Sequence, residues 1–243
     1  MNSDCICNNK HCPLIGRGFR PYVTKNRNHW KYSFLQGKVI PFDGNISSGK
    51  SSIGKETARV LSEEYDLPAV YIPEYVDIPL LTQFIQNMKV FAYSFQLFML
   101  ERRAETYRRA IDLARLGHIV ILDRMMHGDL AFAHLHHLKG NITDEEYDNY
   151  RARMQKFEFN DPALTVFLDV TPETALRRQV RRNRENEKYN LEYFQEIHQA
   201  YQDVIQTYRG HILHIPYDDD LLVEEITGKA KQILDQCIDF LLK

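Results

Sequence analysis

Lys38-Val-Ile-Pro-Phe-Asp43-Gly44-Asn-Ile-Ser-Ser-Gly49-Lys50-Ser51-Ser52 runs from a short apolar stretch into a glycine-bounded loop, then into a helical pattern carrying Ile53, Thr57, Val60 and Leu61. The loop satisfies G-x-x-x-x-G-K-[ST] in full and stands between strand and helix, the context the motif requires. Its glycines let the backbone curl until successive N–H groups face phosphate oxygens, and the following helix turns its positive end toward the same point. Gly44, Asn45, Ile46, Ser47, Ser48, Gly49, Lys50, Ser51 and Ser52 are therefore the candidate nucleotide loop. Lys50 is placed to reach the outer phosphates, and the Ser51 hydroxyl to bind Mg2+. Such a loop identifies a phosphate donor and leaves the acceptor open.

Working outward, 243 residues with 44% hydrophobic and 26% charged content suffice for one substantial core. Thirty-one basic against thirty-three acidic residues, a net charge of −2, call for neither a nucleic-acid nor a membrane partner. The longest apolar runs, Ile119 to Leu122 and Val166 to Leu168, suit buried strands and fall far short of a bilayer span. The polar N-terminus carries no secretory signal, so a cytoplasmic location is expected, with the basic stretch Lys10 to Lys31 leaving organelle targeting open. Four cysteines are too few for a disulfide framework. Cys5, Cys7 and Cys12 crowd His11, but the Cys5–Cys7 spacing is tight for zinc and no second ligand pair follows. Residues 1–36 read as a flexible N-terminal extension, and residues 37–243 as the domain.

After the first strand, short β-rich runs at Ala69 to Ile72, Gly117 to Leu122, Leu164 to Val170 and Ile212 to Ile215 alternate with helical patterns. That order predicts an α/β fold with a five-stranded parallel sheet covered by helices on both faces. Thr171-Pro172-Glu173 marks a helix start, with a capping hydroxyl, a proline at the first position and an early acid. Pro41 is anomalous, because proline removes a ladder donor from a strand expected to be central.

Ligands of such sheets collect beyond the carboxyl ends of the strands. Glu74 stands there after the second strand, either as a proton acceptor for an attacking hydroxyl or as a solvated loop glutamate. Asp123-Arg124 ends the third, as a metal-side carboxylate and phosphate-neutralising guanidinium or as a surface ion pair. Arg178, Arg181 and Arg182 share a helix face with Arg184 just beyond, either to close over the nucleotide or as a solvated surface. His127, His134, His136 and His137 cluster without a supporting carboxylate or cysteine pattern and read as surface or pocket-rim residues.

Taken in order, the phosphate loop, Pro73-Glu74, Phe95-Gln96, Asp123-Arg124 with Asp129, Thr171-Pro-Glu-Thr174 and the arginine segment ending at Glu187 resemble the deoxyribonucleoside kinases from Lys38 onward. The resemblance implies a P-loop NTPase fold with an arginine-rich lid and transfer of the ATP γ-phosphate to a deoxyribonucleoside 5′-hydroxyl. It implies that Glu74 is the general base, and that Arg124 holds it and the transferring phosphate beside Lys50. Asp123 would support Mg2+ together with Ser51. Gln96 would bond the nucleobase, with Met99, Arg103, Asp129 and Phe132 completing the substrate pocket. Glu187 would contact the sugar, Arg178, Arg182 and Arg184 would form the lid, and Asp218 and Asp219 would lie by the donor base. A homodimer is implied as well.

Arg103, seven residues after Gln96, and Asp129, six after Asp123, match members that accept deoxyadenosine, deoxyguanosine or deoxycytidine rather than thymidine. A buried Arg–Asp pair presents polar groups to a base edge and leaves little room for the thymine methyl. The pattern departs from the family near Tyr75 and near Phe84-Ile85, and the spacing from Asp129 to Phe132 looks like that of bacterial or viral members. Two rival readings share these motifs: a nucleoside monophosphate kinase, and a non-catalytic subunit that kept the fold.

Overall fold

The central strand β1 (Val39–Gly44) is buried along its whole length, as a strand covered on both faces must be. β2 (Ala69–Ile72), β3 (Ile119–Asp123), β4 (Thr165–Asp169) and β5 (Ile212–Pro216) join it in a sheet of order β2-β3-β1-β4-β5. Every neighbouring pair is parallel, in agreement with the sequence expectation. This computed structural model describes residues 29–157, 162–182, 189–208 and 210–243.

Helices fill the connections. They are α1 (His29–Ser33), α2 (Lys50–Arg59), α3 (Ile78–Gln86), α4 (Met88–Arg115), α5 (Met126–Leu138), α6 (Asp144–Lys156), α7 (Pro172–Arg182), α8 (Leu191–Thr207) and α9 (Val223–Leu241). The period of two along the strands sorts the core into layers. Ile40, Phe42, Ile119 and Ile121 pack with Ile53, Leu61 and Ile233 of the α2–α9 layer. Val39, Val120 and Leu122 point the other way, onto Leu100 and Tyr107 of α4. Farther along that face, Phe167 packs with Leu135 of α5 and Ile197 and Tyr201 of α8.

The register resolves the proline anomaly. The Lys38 and Phe42 carbonyls accept the Val120 and Arg124 amides of the β3 side. Alternation then directs the Pro41 nitrogen toward β4, where pairing with β1 begins only at Phe42, opposite Val166. Proline sits one residue before that pairing begins, and the first amide needed there is that of Asp43.

The segment placed by sequence before the domain is corrected at its end. Tyr32 and Leu35 are buried in the α2–α9 layer. Lys31 pairs with Asp235 of α9 at 2.7 Å, and the Tyr32 hydroxyl donates to the same carboxylate. Two side chains that look like an irregular tail in sequence find partners on the last helix, more than two hundred residues away. Residues 1–28, with the Cys5, Cys7 and Cys12 cluster, lie outside the described residues.

Leu35→Ala is expected to destabilise the protein by about 2–5 kcal/mol in denaturant unfolding, as a fully buried leucine in a packed layer does. A change below about 0.5 kcal/mol, the range of surface substitutions, would return residues 29–36 to the tail.

Candidate active site

Three strand ends converge. β1 delivers the phosphate loop, the segment after β2 delivers Glu74, and β3 ends in Asp123-Arg124. Lys50, Ser51, Glu74, Gln96, Met99, Arg124, Asp129 and Phe132 line one cavity, closed by Phe84, Phe95, Tyr189 and Tyr193. Gln96 is 3% exposed and lines the cavity wall.

Glu74 is the point where the charges meet. Its Oε1 accepts from Arg103 Nη2 at 2.8 Å and from Arg124 Nε at 3.0 Å. Burial pushes this carboxyl up, but Arg124, Arg103 and Lys50 outweigh burial and leave it lowered to about 2. Arg103 also grips Asp129 in a bidentate pair, at 3.0 and 2.8 Å. Asp129 faces the cavity while Arg103 lies behind it, orienting two carboxylates.

Arg124 is itself held from several sides. Its backbone is left-handed at φ 65, a conformation uncommon for a residue with a Cβ. Its amide donates to the Phe42 carbonyl at 2.9 Å, its guanidinium donates to the Gly44 carbonyl at 3.2 Å and to the Tyr201 hydroxyl, and the Phe132 ring lies 5.2 Å away. Asp43 ties this corner together, accepting from the amides of Gly44, Met125 and Gly128 and from the Tyr201 hydroxyl. Neither Asp43 nor Tyr201 was singled out from sequence. A carboxylate ending an apolar strand was the available signal for Asp43, whereas Tyr201 looks like any core-facing tyrosine of α8.

At the end of β3, Asp123 Oδ2 accepts the Ser51 and Tyr71 hydroxyls, each at 2.6 Å. Its Oδ1 is buried and has no hydrogen bond. Lys50 Nζ donates to the Asn45 carbonyl at 3.1 Å, and burial together with Arg124 lowers its pKa to about 8.

A second cleft adjoins the first at the loop, lined by Gly49, Lys50, Ser52, Arg178, Arg182, Tyr217 and Asp219 among others. The first described turns of the arginine segment are the end of α7. Arg178 donates to the carbonyls of Ser48, Tyr217 and Asp219, so it pins the phosphate loop to the segment after β5. Arg181 pairs with Asp220, and Arg182 borders both cavities. Asp218 turns away from the cleft, accepting from the Thr171 amide and hydroxyl at 2.9 Å and reinforcing the start of α7. Arg184 and Glu187 lie outside the described residues.

The histidine cluster disperses. His134 meets the Tyr147 hydroxyl and His137 stacks on the Tyr147 ring, while His127 packs on Tyr208. His136, expected at a surface or rim, is fully buried between Phe84 and Tyr193, and burial lowers its pKa to about 4. Its helical position faces α3 and α8, which spacing alone does not reveal. Among the described residues no group of three or more His, Cys, Asp or Glu forms a metal site.

Gly128 lets α5 start against this corner. A Cβ there would come within 2.8 Å of Arg124 Cγ, Asp43 Oδ1 and Tyr201 Oη. Gly128→Ala is expected to cost about 1–3 kcal/mol in thermal or denaturant unfolding. An unchanged stability would show that the corner yields freely.

The solved structure of deoxyadenosine kinase from M. mycoides with dCMP and dCDP shares this fold, with a TM-score of 0.67 over 82% of this chain and 99% of that one at 21% identity. Deoxyadenosine kinase of Dictyostelium discoideum is 31% identical over 181 residues, covering 73% of this chain and 71% of that protein. The mitochondrial NADH dehydrogenase (ubiquinone) 1 alpha subcomplex subunit 10 of Bos taurus is 30% identical over 188 residues, covering 68% of this chain and 54% of that protein. A model of the deoxynucleoside kinase family matches residues 40–242, so the chain belongs to the deoxynucleoside kinase family.

Proposed function

We propose that the protein transfers the γ-phosphate of ATP to the 5′-hydroxyl of a deoxyribonucleoside, a purine nucleoside or deoxycytidine in preference to thymidine. The observation that carries this reading is the shared cavity: Glu74, held by two arginines, faces Lys50 and Ser51 of the phosphate loop across a space lined by Gln96 and Asp129.

Glu74 takes the hydroxyl proton. A carboxylate with a pKa of about 2 is a weak base, but it is ionised at every physiological pH. In a loose phosphoryl-transfer transition state the hydroxyl gives up its proton late, so orienting it matters more than basicity. Arg124, which touches Glu74 and reaches the phosphate-loop carbonyl of Gly44, couples the acceptor side to the phosphate. Arg178 and Arg182 complete the cationic border of the donor cleft, with Asp219 beside Arg178.

Ser51 and Asp123 fit a Mg2+ ion. A buried carboxylate oxygen without a donor is costly unless a cation takes it, and oxygen ligands are what Mg2+ prefers. Ser51 and Asp123 would hold the ion, which would supply charge neutralisation for the transferring phosphate.

Purine or cytosine selectivity rests on Gln96 and on the Asp129 carboxylate, fixed by Arg103, at the cavity wall. The relative named deoxyadenosine kinase supports it. A monophosphate acceptor would need spare cations, whereas Arg103 and Arg124 are committed to Glu74, Asp129 and Asp43. A homodimer and a cytoplasmic location belong to the same proposal, the first supported by the family resemblance. Among the described residues no helix is long and apolar enough to cross a membrane.

The test is ATP-dependent phosphorylation of each of the four deoxyribonucleosides. Glu74→Gln is expected to lower kcat by about 10²–10⁴-fold. A kcat/KM for thymidine above that for the other three would overturn the selectivity. Turnover of monophosphates alone would favour the monophosphate kinase, and no turnover the non-catalytic subunit.

Lys50 supplies a pH signature. Its charge is present below about pH 8 and lost as pH rises through that value, so kcat/KM for ATP should fall above pH 8. Bound phosphates favour the charged amine, so the basic limb of kcat should lie at higher pH. Glu74, ionised down to about pH 2, should add no acid limb between pH 5 and 8; an acid limb in that range abolished by Glu74→Gln would contradict this.

A further inference from the structure

Tyr71 has no part in the family pattern drawn from the sequence, yet it touches the metal-side carboxylate. It is the third residue of β2, in register with Ile121, two residues before Asp123. Its hydroxyl and that of Ser51 both donate to Asp123 Oδ2, at 2.6 Å each. Both donors therefore occupy one oxygen of the carboxylate, and the buried Oδ1 takes none. The donors come from two elements, β2 and the start of α2, so the carboxylate plane has little freedom to turn.

The ring is seated by a second sequence feature. Gly54 lies inside α2, where glycine costs about 1 kcal/mol relative to alanine. A Cβ at Gly54 would meet Tyr71 Cε2 and Ile121 Cγ2 at 3.3 Å each. Glycine lets the ring lie against the helix and the phenol reach Asp123.

We propose that Tyr71 is a positioning residue that holds Asp123 Oδ2 so that Oδ1 is presented to a divalent cation. The inference rests on the reading of Ser51 and Asp123 as the Mg2+ site, and adds to it a partner that fixes a ligand's orientation. Such outer partners govern metal affinity without touching the metal.

The experiment titrates Mn2+ into protein held in excess over ADP, reading the free ion by its paramagnetic resonance signal, for the wild type, Tyr71→Phe and Asp123→Asn. Tyr71→Phe removes one oxygen and keeps the ring against Gly54. It is expected to weaken Mn2+ binding about tenfold, and raising the Mg2+ concentration should restore its kinase rate. Wild-type Mn2+ affinity in Tyr71→Phe with weakened affinity in Asp123→Asn would overturn the role of Tyr71 alone. Wild-type affinity in both would overturn the metal-site reading and the inference with it. Weakened binding in Tyr71→Phe with a rate that added Mg2+ does not restore would also overturn it, pointing to structural damage.

Discussion

Charge removed from water must be paired, and in this protein the pairing converges on Glu74. Two guanidiniums share one of its oxygens, and each continues to another carboxylate, Arg103 to Asp129 and Arg124 to Asp43. The result is a chain of alternating charge in which no member moves without uncovering its neighbour. Burial of such groups contributes little net stability, because the desolvation cost rivals the attraction. What it provides is geometry. Two cavity-lining carboxylates, Glu74 and Asp129, and the guanidinium beside the phosphate loop are placed by one network, so under the proposed function recognition and chemistry share a common frame.

That frame tolerates local strain. Ser47 and Arg124 both have positive φ, at 58 and 65, and left-handed backbone in residues other than glycine costs of order 1–3 kcal/mol. Surrounding contacts over-determine Arg124. Arg124 is fixed at its amide by β1 and at its guanidinium by Gly44 and Tyr201. The strain directs its side chain from the end of β3 back toward Glu74, where a regular strand would send it elsewhere.

Much of this was legible in the sequence. The parallel sheet followed from five apolar runs divided by helical patterns, and the phosphate loop from a motif in its proper context. Glu74, Asp123 and Arg124 stood out because charge at the end of an apolar strand has to be used. The residues that escaped share one property: their partners are distant in the chain and their own neighbourhoods are ordinary. Asp43 meets Tyr201 across 158 positions, and Tyr32 meets Asp235 across 203. His136 reads as a surface histidine until α3 and α8 close over it. Asp218, placed by resemblance at the donor base, also holds Thr171 at the start of α7, a bond between two loops that spacing does not reveal.

Glu74, Asp123-Arg124 and the phosphate loop are carried by three adjacent strands, β2, β3 and β1, while the cavity-lining residues Gln96, Met99, Asp129 and Phe132 ride on α4 and α5. Neighbouring strands hold a spacing of about 4.8 Å that hydrogen bonding does not allow to drift. Under the proposed function, the carboxyl ends of the strands act as a ruler for the reacting groups, and the helices as an exchangeable mould for the base. Substitutions in the mould can redraw which nucleobase is admitted while the ruler keeps hydroxyl and phosphate at one separation. A lineage built on this plan can change its diet without relearning its chemistry.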